Sequence, residues 1–423
     1  MKIGIVTQYY PPNILGGSHI SVFNVAKGLA VNGHSVEIFT SKTDKIKEIN
    51  KFKLKGVKVH PIFDKEYSFG ILAAVKKERH MIAKFKKFLK KGYQKFDILY
   101  SYGMDTIPAV LNCKKCAEKI AASVNGSWAT CPYYHINYKG EECLNCDAKK
   151  FWYCTFKRIF RKNPAGSGSN KWIKILLSPI IFYMYRKRLK ALKRIDIILP
   201  ISYKLKKILI NKGINKDKLF VCYNLFEQIR PANWSIFKEF DIPKHKKIIL
   251  FAGRVEKIKG CHTIIEAIPK IIQSNKSVHF LFLGHCHEKE LKRAVKNLNI
   301  AQYVTFGGFV NSKKLAAAYK QAYLTVYPSM FFDPLPRTPT ESFMQGTPVI
   351  GTDRGGCEEL IKQKYNGLQI SPGSSKELAK AISKLIKNKD LYRKLSGAAK
   401  KSSKKFLIEK GIHNYINALG VKT

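Results

Sequence analysis

Short apolar runs alternate with segments of helical periodicity in the first half of the chain. Residues 2–7 (KIGIVT) and 35–40 (SVEIFT) are apolar runs of strand length, and we expect both to form buried strands. Between them the apolar residues recur at helical spacing: Val22, Val25, Ala26, Leu29 and Ala30. Three more runs of strand type follow, at 96–102, 119–125 and 196–202. A strand, a helix and a second strand in this order predict a βαβ unit and hence a parallel sheet.

The same rhythm restarts in the second half. Residues 246–254 predict a strand that runs into a loop, and residues 261–272 predict the helix after it. Further strands are predicted at 278–284, 303–308, 324–329 and 347–352. The pattern therefore predicts an α/β protein with two doubly wound, Rossmann-like domains. Ligands of such folds bind at the carboxyl ends of the strands, so we expect the two domains to face a common cleft.

The domain boundaries are expected where this periodicity fades. We predict an N-terminal domain at 1–225, a linker at 226–247, a C-terminal domain at 248–400 and, at 401–423, a helix that can return to the N-terminal domain. A chain of 423 residues is too long for one core and suits two domains of about 200 residues each.

The charge balance is strongly positive. The chain has 77 Lys and Arg residues against 29 Asp and Glu residues, a formal net charge of +48 at pH 7. Such an excess favours an anionic partner, which can be a phosphate ester, a nucleic acid or an acidic membrane surface. Single basic runs, such as 76–95, also fit the solvated faces of amphipathic helices.

The first residues predict a strand and its loop rather than an export signal. The longest apolar stretch, 172–185, is interrupted by Lys174 and Pro179 and is shorter than the roughly 20 residues of a spanning helix. We therefore expect a cytoplasmic protein, with peripheral attachment to the inner face of the membrane as an open alternative. Residues 171–194 mix aromatic and aliphatic residues with a basic end, so they could lie in an anionic membrane surface or pack on the first domain's sheet.

Loops that follow predicted strands carry groups suited to a phosphorylated ligand. Gly16 and Gly17 end the first loop and open a helix, whose free N–H groups attract phosphate; a simple turn is the alternative. Arg254 and Lys259 follow the first strand of the second domain, and two cations at the mouth of a sheet suit a diphosphate. In so lysine-rich a chain, an unliganded surface cation is the alternative for Lys259.

Two carboxylates, Asp333 and Glu341, stand in the proline-rich stretch DPLPRTPTE. The following SFMQG predicts a helix start, so we expect Glu341 in the first turn of that helix. Acids in a first turn are often only dipole partners. A carboxylate also accepts hydrogen bonds from ribose or sugar hydroxyls, and the prolines restrict the movement of both acids. The pair is therefore a candidate sugar-binding group.

In their order and spacing, these segments resemble the family-4 retaining glycosyltransferases of GT-B fold over nearly the whole chain. The matching pieces of the first half are PPNILGGSH, GHSVEIFT and DIILPIS, followed by Tyr223 and Asn224. The matching pieces of the second half are FAGRVEKIKG, FLFLG, VTFGGFV, YPS, GTPVIGTDRGGCEEL and YNGL. The E-x₇-E motif of that family maps onto Asp333 and Glu341.

The resemblance implies a retaining hexosyltransferase that uses a nucleotide-sugar donor, a UDP- or GDP-sugar, and a saccharide or lipid-linked acceptor. Glu341 would hold the ribose, and Asp333 the hydroxyls of the transferred sugar. Arg254 and Lys259 would neutralise the leaving diphosphate. The helix start at Gly16 and Gly17 would lie opposite, and Leu335 would join the donor-binding loop. No cofactor is implied for catalysis, and the sequence holds no Asp-x-Asp metal pair.

Three positions depart from the family pattern. Asp333 is one methylene shorter than glutamate, and Pro336 replaces a frequent glycine and removes a backbone N–H donor. Asn125 stands where the family often has histidine; it can contact a sugar or acceptor hydroxyl but cannot carry a proton. These changes leave a catalytically weak nucleotide-sugar-binding relative as an alternative.

A basic nucleic-acid-binding protein with a zinc knuckle is a further alternative to the enzyme. The sequence shows no helix-turn-helix or single-strand aromatic motif, and its charge is spread along the chain. We therefore expect no nucleic-acid partner.

Six of the ten cysteines lie between residues 113 and 154. Cys143 and Cys146 form a C-x₂-C knuckle, with Cys131 before it and Cys154 after it. Reduced cysteines at this density predict a structural four-sulfur site, with zinc ahead of an iron–sulfur cluster, and His135 is a possible substitute ligand. A set of free buried thiols is the alternative.

Overall fold

The computed structural model describes residues 1–12, 17–43, 52–64, 71–90, 92, 95–133, 137–138, 141–143, 145–160, 171–286 and 289–420. Gly16 and His135 lie outside these residues. The chain divides into two compact units: unit 1 comprises Met1–Phe226 together with Ile408–Thr423, and unit 2 comprises Glu227–Leu407.

Unit 1 is built around a six-stranded parallel sheet. Its strands are β1 (Lys2–Val6), β2 (Ser35–Ser41), β3 (Val57–Phe63), β4 (Phe96–Tyr102), β5 (Ala117–Val124) and β8 (Ile197–Pro200); β6 (Asn137–Tyr138) and β7 (Glu141–Glu142) form a separate short antiparallel pair. The helices before unit 2 are α1 (Gly17–Val31), α2 (Ile71–Leu89), α3 (Ile107–Asn112), α4 (Ala148–Phe160), α5 (Lys171–Lys193) and α6 (Tyr203–Asn211). In the strand order β3-β2-β1-β4-β5-β8, successive strands are added on one side of β1 up to β3 and on the other side from β4 onward. The switch point of the sheet therefore lies between β1 and β4.

Unit 2 repeats this architecture. Its strands are β9 (Lys247–Ala252), β10 (Val278–Leu283), β11 (Val304–Gly308), β12 (Leu324–Tyr327), β13 (Val349–Thr352) and β14 (Gly367–Ile370), and all are parallel. Its helices are α7 (Ile236–Glu239), α8 (Cys261–Ser274), α9 (Lys289–Asn297), α10 (Ser312–Gln321), α11 (Arg337–Met344), α12 (Cys357–Leu360), α13 (Ser375–Lys387) and α14 (Lys389–Ser403). The strand order β11-β10-β9-β12-β13-β14 reverses between β9 and β12. The prediction of two doubly wound α/β domains is confirmed.

The segment expected to be a linker, 226–247, is folded into unit 2 from Glu227 onward. Helix α7 begins after Ser235, whose side chain accepts a hydrogen bond from the backbone N–H of Lys238. Ile236 and Ile242 are buried in a hydrophobic cluster with strands β9 and β10. A segment with little periodicity therefore forms part of the core.

The last helix, α15 (Ile408–Leu419), belongs to unit 1. Its residues Ile412 and Tyr415 are buried in the same hydrophobic cluster as Val25 of α1. Gly28 of α1 allows this close approach, because a Cβ atom there would lie 2.8 Å from the side chain of Ile412.

Candidate functional site

A cluster of charged groups in unit 2 lies at the switch point between β9 and β12, where the order of the strands reverses. The chain leaves β9 towards one edge of the sheet and returns at β12 on the other side, so the loops after β9 and β12 open a crevice. Lys259 comes from the first loop and Asp333 from the second, and their Nζ and Oδ2 atoms are 3.2 Å apart. The switch in topology thus brings together two residues that are far apart in sequence.

Tyr327, the last residue of β12, completes this cluster. Its hydroxyl donates to Asp333 Oδ2 over 2.7 Å and lies 3.3 Å from Lys259 Nζ. Burial, and then the charge of Asp333, raise the pKa of Tyr327 well above its usual value, so the hydroxyl keeps its proton. The Lys259 ammonium also lies 4.3 Å from the ring centre of Phe331. These contacts fix the position of the lysine before any ligand binds.

Glycines allow the loops after β9 and β12 to pack closely against their neighbours. Gly260, directly after Lys259, has φ +80°, and a Cβ atom there would overlap the carbonyl oxygen of Pro328. Gly355 and Gly356 pack against the backbone that carries Asp333, whose carbonyl oxygen accepts a hydrogen bond from Gly356 N over 2.8 Å. The position of the Asp333 loop therefore depends on close backbone contacts that only glycine permits.

Glu341 lies in the second turn of helix α11, and the prediction of a first-turn position is wrong. The helix begins at Arg337, four residues earlier, because the prolines at 336 and 339 fall at its N-cap and third positions, where a missing N–H is tolerated. This register places Glu341 one turn after Arg337, and Arg337 Nε donates to Glu341 Oε1 over 3.1 Å. The other carboxylate oxygen is 3.5 Å from the hydroxyl of Tyr319.

The remaining residues predicted for the donor site are spread around this cluster. Arg254 is exposed, with 67% of its side chain accessible, and its Nη1 pairs with Glu256 Oε1 at 3.0 Å. It is therefore not part of the Lys259–Asp333 cluster. Leu335 is buried, and Pro336 is the residue before helix α11.

In unit 1, a polar cluster also lies at the switch point of the sheet, between β1 and β4. Lys77 of α2 donates to Gln8 after β1 and to Asp105 after β4, the latter over 2.6 Å. Gly17 is the first residue of α1, beside the same edge of the sheet. Asn125 is half-buried and directly follows β5.

Sequence reasoning missed Tyr327, Arg337 and Lys77. Tyr327 could have been found as a polar residue at the end of a predicted strand. Arg337 could have been found from its i, i+4 spacing to Glu341, once the helix was known to begin before SFMQG. Lys77 carried no signal, because it is one of many lysines in the basic run 76–95.

The four cysteines predicted to bind metal are neighbours in unit 1. Burial raises the pKa of the Cys146 thiol to about 12, with a further contribution from Cys131. The pKa values of Cys143 and Cys154 are raised for the same two reasons. Across the part of the chain that the structure describes, no three His, Cys, Asp or Glu side chains are arranged to hold a metal ion. The chain's ten cysteines are free thiols.

Helix α5 has both a buried face and an exposed apolar face. These match the two alternatives considered for residues 171–194, packing on the first domain and lying in a membrane surface. Its Met184 and Tyr185 are buried, and the ring of Phe182 packs on that of Phe151 with 4.8 Å between centres. Another face is exposed, with accessible fractions of 72% for Trp172, 77% for Leu176 and 67% for Tyr183. None of the helices in the described ranges is long and apolar enough to span a membrane.

Comparisons with known proteins match both halves of the chain to glycosyltransferases. The model of the family described as Glycosyltransferase Family 4 matches residues 15–227, and that described as Glycosyl transferases group 1 matches residues 232–402. An uncharacterized glycosyltransferase of Methanocaldococcus jannaschii is 25% identical over 414 residues, which is 94% of this chain and 95% of its own. Spore coat protein SA of Bacillus subtilis is 33% identical over 158 residues, 36% of this chain and 42% of its own. HepE of Anabaena, solved with UDP, shares the fold with a TM-score of 0.69 and 17% identity over all of both chains.

Proposed function

The chain belongs to glycosyltransferase family 4, and from this membership we propose that it moves a hexose from a nucleotide sugar to a saccharide or lipid-linked acceptor, with retention of the anomeric configuration. The observation that carries the proposal is the Lys259–Asp333 pair at the switch point of the unit 2 sheet, the edge at which such folds bind ligands. HepE of Anabaena has been solved with UDP and with UDP-glucose, which supports a nucleotide sugar as the donor.

Lys259 is suited to stabilise the departing diphosphate. Its side chain is only 16% exposed and its ammonium is held by Asp333 and Tyr327, so little reorganisation is needed when negative charge develops beside it. Arg254 is exposed and bound to Glu256, and its guanidinium would have to leave that partner to bind two phosphate oxygens. Lys259 is therefore the main electrostatic group, with Arg254 in a supporting role.

The two carboxylates are suited to hold the sugars of the donor. Asp333 uses one oxygen, Oδ2, for both Lys259 and Tyr327, so its other oxygen can accept a hydrogen bond from the hydroxyl of a transferred hexose. Glu341 can accept bonds from the ribose diol while Arg337 fixes its orientation. In the retaining reaction the bond between the anomeric carbon and the diphosphate breaks, the acceptor oxygen bonds on the same face, and its proton passes to the leaving diphosphate.

The donor assignment can be tested by calorimetry with UDP-, GDP- and ADP-sugars. With the sugar that binds, Glu341→Ala is expected to weaken binding by about 1–3 kcal/mol, the range for losing a hydrogen bond to a charged group. The comparison variant is Arg337→Gln, which keeps the carboxylate but removes the group that orients it, and it should weaken donor binding by less than Glu341→Ala. Equal binding by wild type and a folded Glu341→Ala variant would remove Glu341 from the donor site.

The acceptor is proposed to be presented at a membrane. The net charge of +48 and the exposed Trp172, Leu176 and Tyr183 of α5 together suit reversible attachment to an anionic surface. We expect the protein to sediment with anionic but not neutral vesicles, and high salt to release it. Trp172→Ser with Leu176→Ser should weaken sedimentation, whereas Phe182→Ser is unsuitable because Phe182 packs on Phe151. Wild-type protein that stays in the supernatant at low salt would contradict the proposal.

We also propose structural zinc at Cys131, Cys143, Cys146 and Cys154. The four side chains supply the sulfur donors that zinc prefers, and the cysteines would have to move together around the ion, because the described side chains are not arranged to hold one. The raised pKa values of Cys143, Cys146 and Cys154 mean that metal binding must release protons. After metal-replete expression we expect about one zinc per chain. Cys143→Ser with Cys146→Ser should lose the metal, while Cys116→Ser should keep it. Elemental analysis that finds neither zinc nor iron in the wild type would refute the site.

A further inference from the structure

A cationic cavity of about 690 Å³ lies in unit 1, between the second half of α5 and the end of α6. Five basic residues line it: Arg186, Lys187, Lys190, Lys193 and Lys212. Asn145 and Asn211 add amide groups, and Tyr183 and Tyr185 add aromatic walls. Cys146 and Leu189 complete the lining, which includes no carboxylate among the residues that the structure describes.

Most of these cations lack an acidic partner. Lys187 pairs with Glu78 over 2.6 Å. Arg186, Lys190, Lys193 and Lys212 have no carboxylate within 4 Å among the residues that the structure describes. Arg186, Lys190 and Lys193 also stand at i, i+4 and i+7 on one face of α5, a spacing at which like charges destabilise a helix. An anion in the cavity would remove this repulsion.

The cavity is built from two elements rather than from one exposed helix face. Lys212, at the end of α6, is 8% exposed, and its Nζ donates to Asn145 Oδ1 over 3.1 Å and lies 5.9 Å from the ring centre of Tyr185. The Lys193 ammonium lies against Gly213, next to Lys212. The cations of α5 and α6 therefore converge on one space.

The lysines Lys190, Lys193 and Lys212 of the cavity lie towards the amino-terminal edge of the unit 1 sheet. Helix α5 ends at Lys193, just before strand β8 begins at Ile197. Helix α6 starts after the carboxyl end of β8 and runs back, so its last residues also reach the amino-terminal edge. Ligands of doubly wound folds bind at the opposite, carboxyl-terminal edge. These three lysines therefore lie away from the polar cluster of Gln8, Lys77 and Asp105, which is at the carboxyl-terminal edge.

The cavity is continuous with the exposed apolar face of α5. Leu176, Tyr183 and Lys190 are spaced by seven residues, so they fall on nearly the same side of the helix. Along this side, exposed apolar groups at Leu176 and Tyr183 give way to the basic groups that line the cavity. An apolar surface beside a set of cations matches the boundary between the acyl chains and the phosphates of a membrane.

We propose that this cavity binds the phosphate headgroup of a membrane lipid. The inference rests on the membrane association proposed above and specifies the chemistry that it recognises. Four cations without a carboxylate partner in the described part of the chain favour a headgroup with more than one negative charge, so a phosphomonoester should bind better than a phosphodiester. The volume of about 690 Å³ leaves room for groups attached to the phosphate.

The test compares vesicles of phosphatidylcholine that contain either phosphatidic acid or phosphatidylglycerol, matched in surface charge. Wild-type protein is expected to bind the phosphatidic acid vesicles more tightly. Lys190→Ala with Lys193→Ala should abolish this preference and weaken binding to them by roughly 10-fold, because each basic residue near the leaflet adds attraction. The control is Lys289→Ala with Lys292→Ala, two exposed lysines at the same i, i+3 spacing on α9, which should retain the preference.

The outcomes separate the headgroup site from membrane association itself. Binding to both vesicle types without preference, or equal losses in the two double variants, would overturn the headgroup site and leave the membrane association standing. Absence of binding to either vesicle would overturn both. Calorimetry with sn-glycerol 3-phosphate tests whether the cavity binds a soluble phosphate ester instead of a lipid. Binding that requires Lys190 and Lys193, without any preference between the vesicles, would assign the cavity to a soluble phosphate and refute the lipid.

Discussion

Lys259→Ala is expected to lower the rate of sugar transfer by about 100- to 1,000-fold, the usual loss when one preorganised group that stabilises developing charge is removed. The ammonium is held by Asp333 and Tyr327 at the switch point, where we propose that the diphosphate binds. Negative charge grows on the diphosphate as the glycosidic bond breaks. The variant should therefore lose more in kcat than in donor affinity, which calorimetry and the release of nucleoside diphosphate can measure separately.

Lys257→Ala is the matched control for this change. Lys257 lies in the same short turn, Lys257–Lys259, and has the same charge, but it is exposed. Its removal should alter the rate little. Lys259→Arg keeps the charge but brings a larger planar group, and should recover part of the activity. If both lysine-to-alanine variants lose the same small factor, the effect is general electrostatics, and Lys259 has no special role.

The strands could be predicted wherever helices bury both faces of the sheet, because such strands are continuous apolar runs. β1 and β10 are of this kind, with every residue of β10 buried. Strand β3 could not be found in this way. It lies at the edge of the sheet, and its Lys58, Val59 and Pro61 are exposed, so its sequence VKVHPIF has no apolar run. β14 has four residues, one of them glycine, and gives too short a signal.

The sequence predicts the residues of the candidate site but not which of them contact each other. Lys259 and Asp333 were each found in a loop after a strand, but their contact over 3.2 Å depends on the order of strands across the sheet. That order is a property of the whole domain and leaves no local pattern. The position of Glu341 was mistaken for a related reason, since prolines that usually end a helix here stand where one begins.

Gly260→Ala is expected to be the most damaging small substitution at this site. The residue has φ +80°, a conformation that costs an L-residue with a side chain roughly 1–2 kcal/mol. The added Cβ would also overlap the carbonyl oxygen of Pro328, a backbone atom that cannot rotate away as a side chain can. The loop after β9 must therefore move off the loop after β12. Because this contact positions Lys259 against Asp333, both stability and donor binding should fall.

Gly397→Ala is the matched control for this substitution. Gly397 lies on the exposed side of helix α14, and a Cβ atom there would have no other atom within 4 Å. Alanine is the better helix former by about 0.5–1 kcal/mol, so this variant should gain stability. Urea denaturation of unit 2 in the full chain and calorimetry with the donor give both readouts. A Gly260→Ala protein that unfolds at the wild-type urea concentration and binds the donor normally would show that the two loops do not depend on this contact.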